Sequence, residues 1–137
     1  QEAYAPMSVS ITLNDDIDIS RGDMIVRSNN KPTPSQDIKV MLCWLNNSPA
    51  KPRAKYIIMH TSNSQKAMIK EVIYKIDIET LERNSSEKKL EMNDISKVKI
   101  RTTKPIMIDP YRQNRITGSI ILVDETTNET VAAGMII

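Results

Sequence analysis

Glycine is nearly missing from this chain: Gly22, Gly118 and Gly134 are the only ones in 137 residues. Three isolated glycines build no phosphate-cradling loop, and no G-x-x-x-x-G-K-[ST] pattern occurs. Binding of GTP or ATP through a P-loop is therefore excluded for these residues. Phenylalanine is absent, so Ile and Val carry much of the apolar content, and β-branched residues suit a pleated surface better than a helix. The single cysteine, Cys43, forms no internal disulfide, which argues against a stapled secreted domain. Between Leu42 and Trp44 it reads as a small packed residue rather than a reactive thiol. The single histidine, His60, falls short of a zinc ligand set and of a Cys-His nucleophile pair, and reads as a strand residue beside a loop. No apolar run reaches membrane-spanning length, and no charged segment followed by an apolar one opens the chain. A one-sided charge is lacking too. The 19 basic and 17 acidic residues leave a net charge of +2, too little to imply nucleic acid.

What is present is strand pattern. Met7 to Leu13 alternates apolar and polar, and predicts a half-buried strand ending at the turn-forming Asn14, Asp15 and Asp16. Ile17 to Gly22 reads as a second turn and Met24 to Val26 as a short strand. Residues 29–35, rich in polar residues and proline, have the composition of a linker. This divides the chain into 1–28, a linker, and a main domain over 36–137. In the main domain Ile38, Val40, Leu42 and Trp44 share one face of a strand over Asp37–Leu45. A loop with Pro49 and Pro52, which withhold ladder donors, leads to a strand over Ala54–Thr61 with Tyr56, Ile58 and His60 aligned. Met68–Ile78 aligns Val72, Tyr74, Ile76 and Ile78. Glu82–Asp94 reads as a polar loop. Ser96–Thr103 turns Val98, Ile100 and Thr102 inward and Lys97, Lys99 and Arg101 outward. Ser119–Asp124 and Thr130–Ile137 are apolar on both faces, which marks central strands. No apolar helical periodicity occurs. About six strands predict an all-β fold, a closed antiparallel barrel or sandwich.

The short motifs are weak. Asp15, Asp16, Asp18 and Asp23 do not follow the calcium-loop spacing. Arg21-Gly22-Asp23 is a tripeptide in which Gly22 serves a turn. Asn46, Asn84 and Asn128 open N-x-[ST] patterns in polar loops. The basic residues carry more. Lys97, Lys99 and Arg101 form a stripe, and Arg112 and Arg115 lie in a nearby loop. These five are the candidate partner contacts. They are weighed against an ordinary charged outer face, and against an RNA surface, for which base-stacking aromatics are scarce. No catalytic or metal-ligating constellation occurs.

Several blocks resemble one family. Residues 5–26, APMSVSITLNDDIDISRGDMIV, are similar to the end of the second domain of the large, GTP-binding subunit of sulfate adenylyltransferase. DIKVMLCWL (37–45), PAKPRAKY (49–56), Lys104-Pro105-Ile106, TGSIILVD (117–124) and TVAAGMI (130–136) resemble its third domain, in order. That domain is similar, more distantly, to the third domain of elongation factor Tu. Glu82 to Met92 matches least. The resemblance implies a barrel of about six antiparallel strands preceded by terminal strands of a second barrel. It implies a longer parent that binds GTP with Mg in an N-terminal domain outside this chain. The parent would pair with a catalytic small subunit that joins sulfate to ATP, giving adenosine 5′-phosphosulfate and pyrophosphate in the cytoplasm. No nucleotide-binding residue of the family falls here, so this chain is expected to be inactive alone and to bind partners. The alternative it suggests is a tRNA-binding barrel of a translation-type GTPase. The apolar face of Met7, Val9, Ile11 and Leu13 is expected to pack on the main domain or to pair with a second copy.

Overall fold

The alternating runs resolve into seven antiparallel strands in the computed structural model, which describes all residues except 1, 3, 4, 6, 15, 16, 30–32, 52 and 87. They are β1 (Thr33–Trp44), β2 (Lys55–His60), β3 (Asn63–Ile76), β4 (Arg83–Asn84), β5 (Ile95–Ile108), β6 (Ser119–Asp124) and β7 (Thr130–Ile136). Neighbours run β2-β6-β7-β1-β5-β3, and β3 pairs back onto β2, closing a six-stranded barrel with β4 attached to β3. Closure through β2 and β3, over Asn63–Met68, removes most of the edge that an open sheet would leave exposed.

The inward set follows the period of two. Ile38, Val40, Leu42 and Trp44 of β1 are all buried, as are Tyr56, Ile58 and His60 of β2 and Val98, Ile100 and Thr102 of β5. Ile120, Leu122, Val131 and Ile136 complete the core from β6 and β7. Each such aliphatic contributes about 1.5–3 kcal/mol by leaving water. His60 is 1% exposed and donates from Nε2 to the Thr117 carbonyl at 2.6 Å, so its role is structural. Gly22 takes φ +100°, as its turn requires.

Several expectations are corrected. β1 starts at Thr33, so Thr33–Ser35 of the expected linker are strand, paired with Ile106–Ile108. Pro34 is tolerated because β1 pairs with β5 alone there; β7 joins only from Val40. The linker's residues 30–32, the turn residues Asp15 and Asp16, and Pro52 lie outside the described residues. β3 begins at Asn63 and ends at Ile76. Register shifts at Ile69/Glu71 and Val72/Tyr74 break its predicted face, leaving Val72 buried but Ile78 61% exposed. The 82–94 loop is not uniformly polar. Leu90 is 2% exposed and plugs one barrel end, clamped where the Ala50 N–H donates to its carbonyl at 2.9 Å. Before Thr33 the described residues form no strand, and Met7, Val9, Ile11 and Leu13 are each at least 44% exposed. An alternating segment becomes a strand only with a partner, and among the described residues no strand pairs with this one.

The turns carry a pH dependence. Asp124 Oδ1 accepts the N–H groups of Thr126 at 2.7 Å and Thr127 at 3.0 Å, and Asp77 Oδ1 those of Glu79 at 2.8 Å and Thr80 at 3.1 Å. These bonds hold both carboxyls below the usual carboxylate range, led by Thr127 for Asp124 and by Thr80 for Asp77. A lowered folded-state value adds stability above the unfolded value of about 4, and that stability is lost as pH falls through the folded value. Thermal unfolding should therefore be steady down to about pH 5 and weaken below about pH 4. Asp124→Asn keeps an acceptor without the titration and should make the acid slope shallower. An unchanged slope would refute the assignment.

Candidate interaction surface

Strands sealed on both edges normally show polar side chains outward. Here four adjacent strands do not. On the outer face Met41 of β1 stands opposite Met135 of β7, and Cys43 opposite Ala133. Ala133 faces Ile121 of β6, which in turn faces Met59 of β2. Ile95 of β5 extends the row beyond Cys43. Ile121, Met135 and Met59 are 41%, 45% and 44% exposed. Between β5, β1, β7 and β6 the row sinks into a shallow depression of 480 Å³ that Tyr111 also lines. A contiguous apolar face of this kind is suited to docking, and methionine, unbranched and polarizable, is an adaptable contact residue. The double-sided apolar pattern of β6 and β7 signalled it. The contributions of Met41 and Met59 were missed, since each sits in a strand whose other face explained the pattern.

The basic stripe borders this face. Lys97 stands opposite Met41 on β1 and Lys99 opposite Lys39, both half-buried. Arg101 donates to Asp37 Oδ2 at 3.0 Å. Glu71 of β3 stands opposite Lys99. The Lys97 ammonium lies 5.9 Å from the Tyr74 ring centre and the Arg83 guanidinium 4.8 Å from it. Tyr74 is thus already engaged by cations, and the stripe offers no free ring for base stacking. Arg112 and Arg115 are exposed in the segment between β5 and β6, apart in the chain from the stripe on β5. Among the described residues, too, no group of three or more His, Cys, Asp or Glu residues is placed to hold a metal ion, and no helix is long and apolar enough to cross a membrane.

Known proteins share this architecture. The family described as GTP-eEF1A C-terminal domain-like matches residues 37–137. The chain is 47% identical over 136 residues to the bifunctional enzyme CysN/CysC of Rhodopirellula baltica, covering 99% of this chain and 21% of that protein. It is 47% identical over 135 residues to sulfate adenylyltransferase subunit 1 of Sulfurovum sp., covering 98% of this chain and 28% of that protein. Against the bifunctional enzyme CysN/CysC of Mycobacterium tuberculosis it is 43% identical, with 99% and 22% covered. The chain thus spans less than a third of these relatives' length. A crystal structure of sup35 complexed with GDP superposes with a TM-score of 0.71 at 13% identity, over 80% of this chain and 27% of that one, which shows a common fold alone.

Proposed function

The chain belongs to the GTP-eEF1A C-terminal domain-like family, and from that premise we propose that it is the C-terminal β-barrel of a sulfate adenylyltransferase subunit 1-type protein. In this reading the longer protein uses GTP hydrolysis, in a domain outside these residues, to promote formation of adenosine 5′-phosphosulfate and pyrophosphate from ATP and sulfate. The barrel performs no chemistry. It docks on the GTPase domain and on a catalytic small subunit, and residues 1–28 belong to the preceding barrel domain, joined through a short linker. The names of the relatives support the parent activity. The observation that carries the docking role is the apolar outer face running from Ile95 through Met41, Met135 and Ile121 to Met59. Lys97, Lys99 and Arg101 at its border, with Arg112 and Arg115 beyond, would steer an acidic partner toward it.

The test uses the longer protein. A sulfate adenylyltransferase small subunit should co-purify with it and form adenosine 5′-phosphosulfate in a GTP-dependent way. Ile121→Asp with Met135→Asp should weaken that association by about tenfold or more, each change removing buried apolar contact and leaving a charge. Both side chains are less than half exposed here, so the double variant should lose some stability yet stay folded, which its unfolding temperature checks. A longer protein that neither binds a small subunit nor supports this reaction would sink the reading.

A further inference from the structure

β3 has one side that the barrel uses only in part. Opposite β5 it pairs with β2 over Asn63–Met68 and with β4 at Lys75–Ile76. Between them, on the side away from β5, no strand among the described residues pairs with Ile69–Tyr74, a stretch of roughly 20 Å at strand spacing. The two register shifts in β3 fall at this stretch, where the sheet parts between β2 and β4. A groove of 540 Å³ lies along the opening. Its floor is apolar, with Ile69 and Val72 of β3 and Leu90 from the loop before β5. Its rim is basic. Lys51 and Arg53 stand on one side, Lys88 and Lys89 on the other, and Lys70 on the strand, with Glu71 the one acidic residue among the described residues of the lining. Arg53 is held at φ +58° in the loop that walls the groove.

One contact shows what the edge can accept. The Lys88 ammonium donates to the Val72 carbonyl at 2.7 Å, so a β3 carbonyl faces the groove and is met by a side chain rather than by a strand. Lysine is a common guard of an open sheet edge. When an extended chain takes its place, the carbonyl gains a peptide N–H and the ammonium becomes free for a carboxylate. Lys89 pairs with Glu91 at 3.3 Å, with both side chains more than half exposed, so that ion pair is weak.

We infer that this groove binds an extended segment of a partner polypeptide in which acidic and apolar residues alternate. The segment adds as a strand to the Ile69–Tyr74 edge. Main-chain bonds to β3 supply affinity, alternate aliphatic side chains reach the Ile69–Val72–Leu90 floor, and the carboxylates between them meet the cationic rim. A nucleic acid would also satisfy the cations, but among the described residues no aromatic ring lines the groove to stack a base. The site shares no residue with the apolar outer face, so it stands or falls independently of the proposed sulfate-activating role.

The test is a titration of the isotope-labelled full chain with the end-capped peptide Asp-Val-Glu-Val-Asp-Val-Glu-Val. Chemical-shift changes should concentrate in residues 50–53, 69–74 and 88–90. Amides of Ile69–Tyr74 that exchange fast in the free chain should slow by about tenfold or more. Methylating alternate peptide nitrogens, which removes main-chain donors and keeps every charge, should weaken binding by about tenfold or more. Lys70→Glu, at an exposed site, should weaken it similarly without lowering the unfolding temperature. Equal binding of the methylated peptide would reduce the site to a charged patch and overturn the inference. So would the absence of peptide binding, shifts mapping elsewhere, or an oligouridylate binding more tightly than the peptide.

Discussion

Trp44→Ala is expected to cost the barrel about 3–5 kcal/mol, a large share of the roughly 5–15 kcal/mol that holds a domain of this size. Trp44 closes β1 and is 1% exposed. Its ring meets Tyr56 edge to face, with centres 5.7 Å apart at 74°. Its indole N–H donates to the Ser48 carbonyl at 2.8 Å, pinning the loop after β1. Its main chain holds the turn before β5, donating to Asp94 at 3.0 Å and accepting from Asn93 at 2.8 Å. Tyr56 continues the chain of contacts, since its hydroxyl accepts the Lys51 N–H at 3.3 Å, while burial pushes its phenol above the usual value. Removing the indole opens a cavity under two loops at once. Trp44→Phe keeps much of the ring volume and loses the bond to Ser48, and should cost about 1–2 kcal/mol. Equilibrium urea unfolding of the three proteins checks the order. A Trp44→Ala loss below about 1 kcal/mol would show that the loops hold the barrel end without it.

The same residue shows what the sequence could disclose. The alternation of Ile38, Val40, Leu42 and Trp44 identifies a core face because a strand has only two faces and one of them is fully apolar. The same holds for Val98, Ile100 and Thr102. Leu90 was hidden for the opposite reason. It is one apolar residue among charged neighbours, and its place in the core goes with a contact between distant loops, the Ala50–Leu90 bond. The β3 register was hidden because a bulge shifts the period by one residue without any composition mark. Met7 to Leu13 has a faultless strand pattern and is no strand, since pairing is a property of the partner as much as of the segment. The apolar outer face was half legible. Ile121 and Met135 stand out in strands that are apolar on both faces. Met41, by contrast, gains its meaning only from Met135 across the β1–β7 pair.

That pair depends on Gly134, and Gly134→Ala is expected to destabilise the barrel by about 1–3 kcal/mol. A Cβ built there would lie 2.3 Å from Val40 Cγ1, 3.1 Å from Leu42 Cδ1 and 3.2 Å from the Met41 carbonyl. Two effects compete. Alanine restricts the unfolded chain and would gain about 0.4–1 kcal/mol if it fitted. Val40, however, is fully buried and branched at Cβ, so its methyl group cannot swing aside within the packed core. Overpacking therefore wins, and the strain is relieved by β7 drawing away from β1. The movement reaches the outer face, because Met41 and Met135 flank Val40 and Gly134 on the two strands and stand opposite each other. A double-mutant cycle separates the causes. Val40→Ala makes room for the new methyl group, so the double variant should be more stable than the summed single losses imply, by about 0.5–3 kcal/mol. If instead the two losses simply add, or Gly134→Ala alone is neutral, the close approach of β7 to β1 is not what glycine is needed for at this position, and the spacing of Met41 and Met135 is set elsewhere in the barrel.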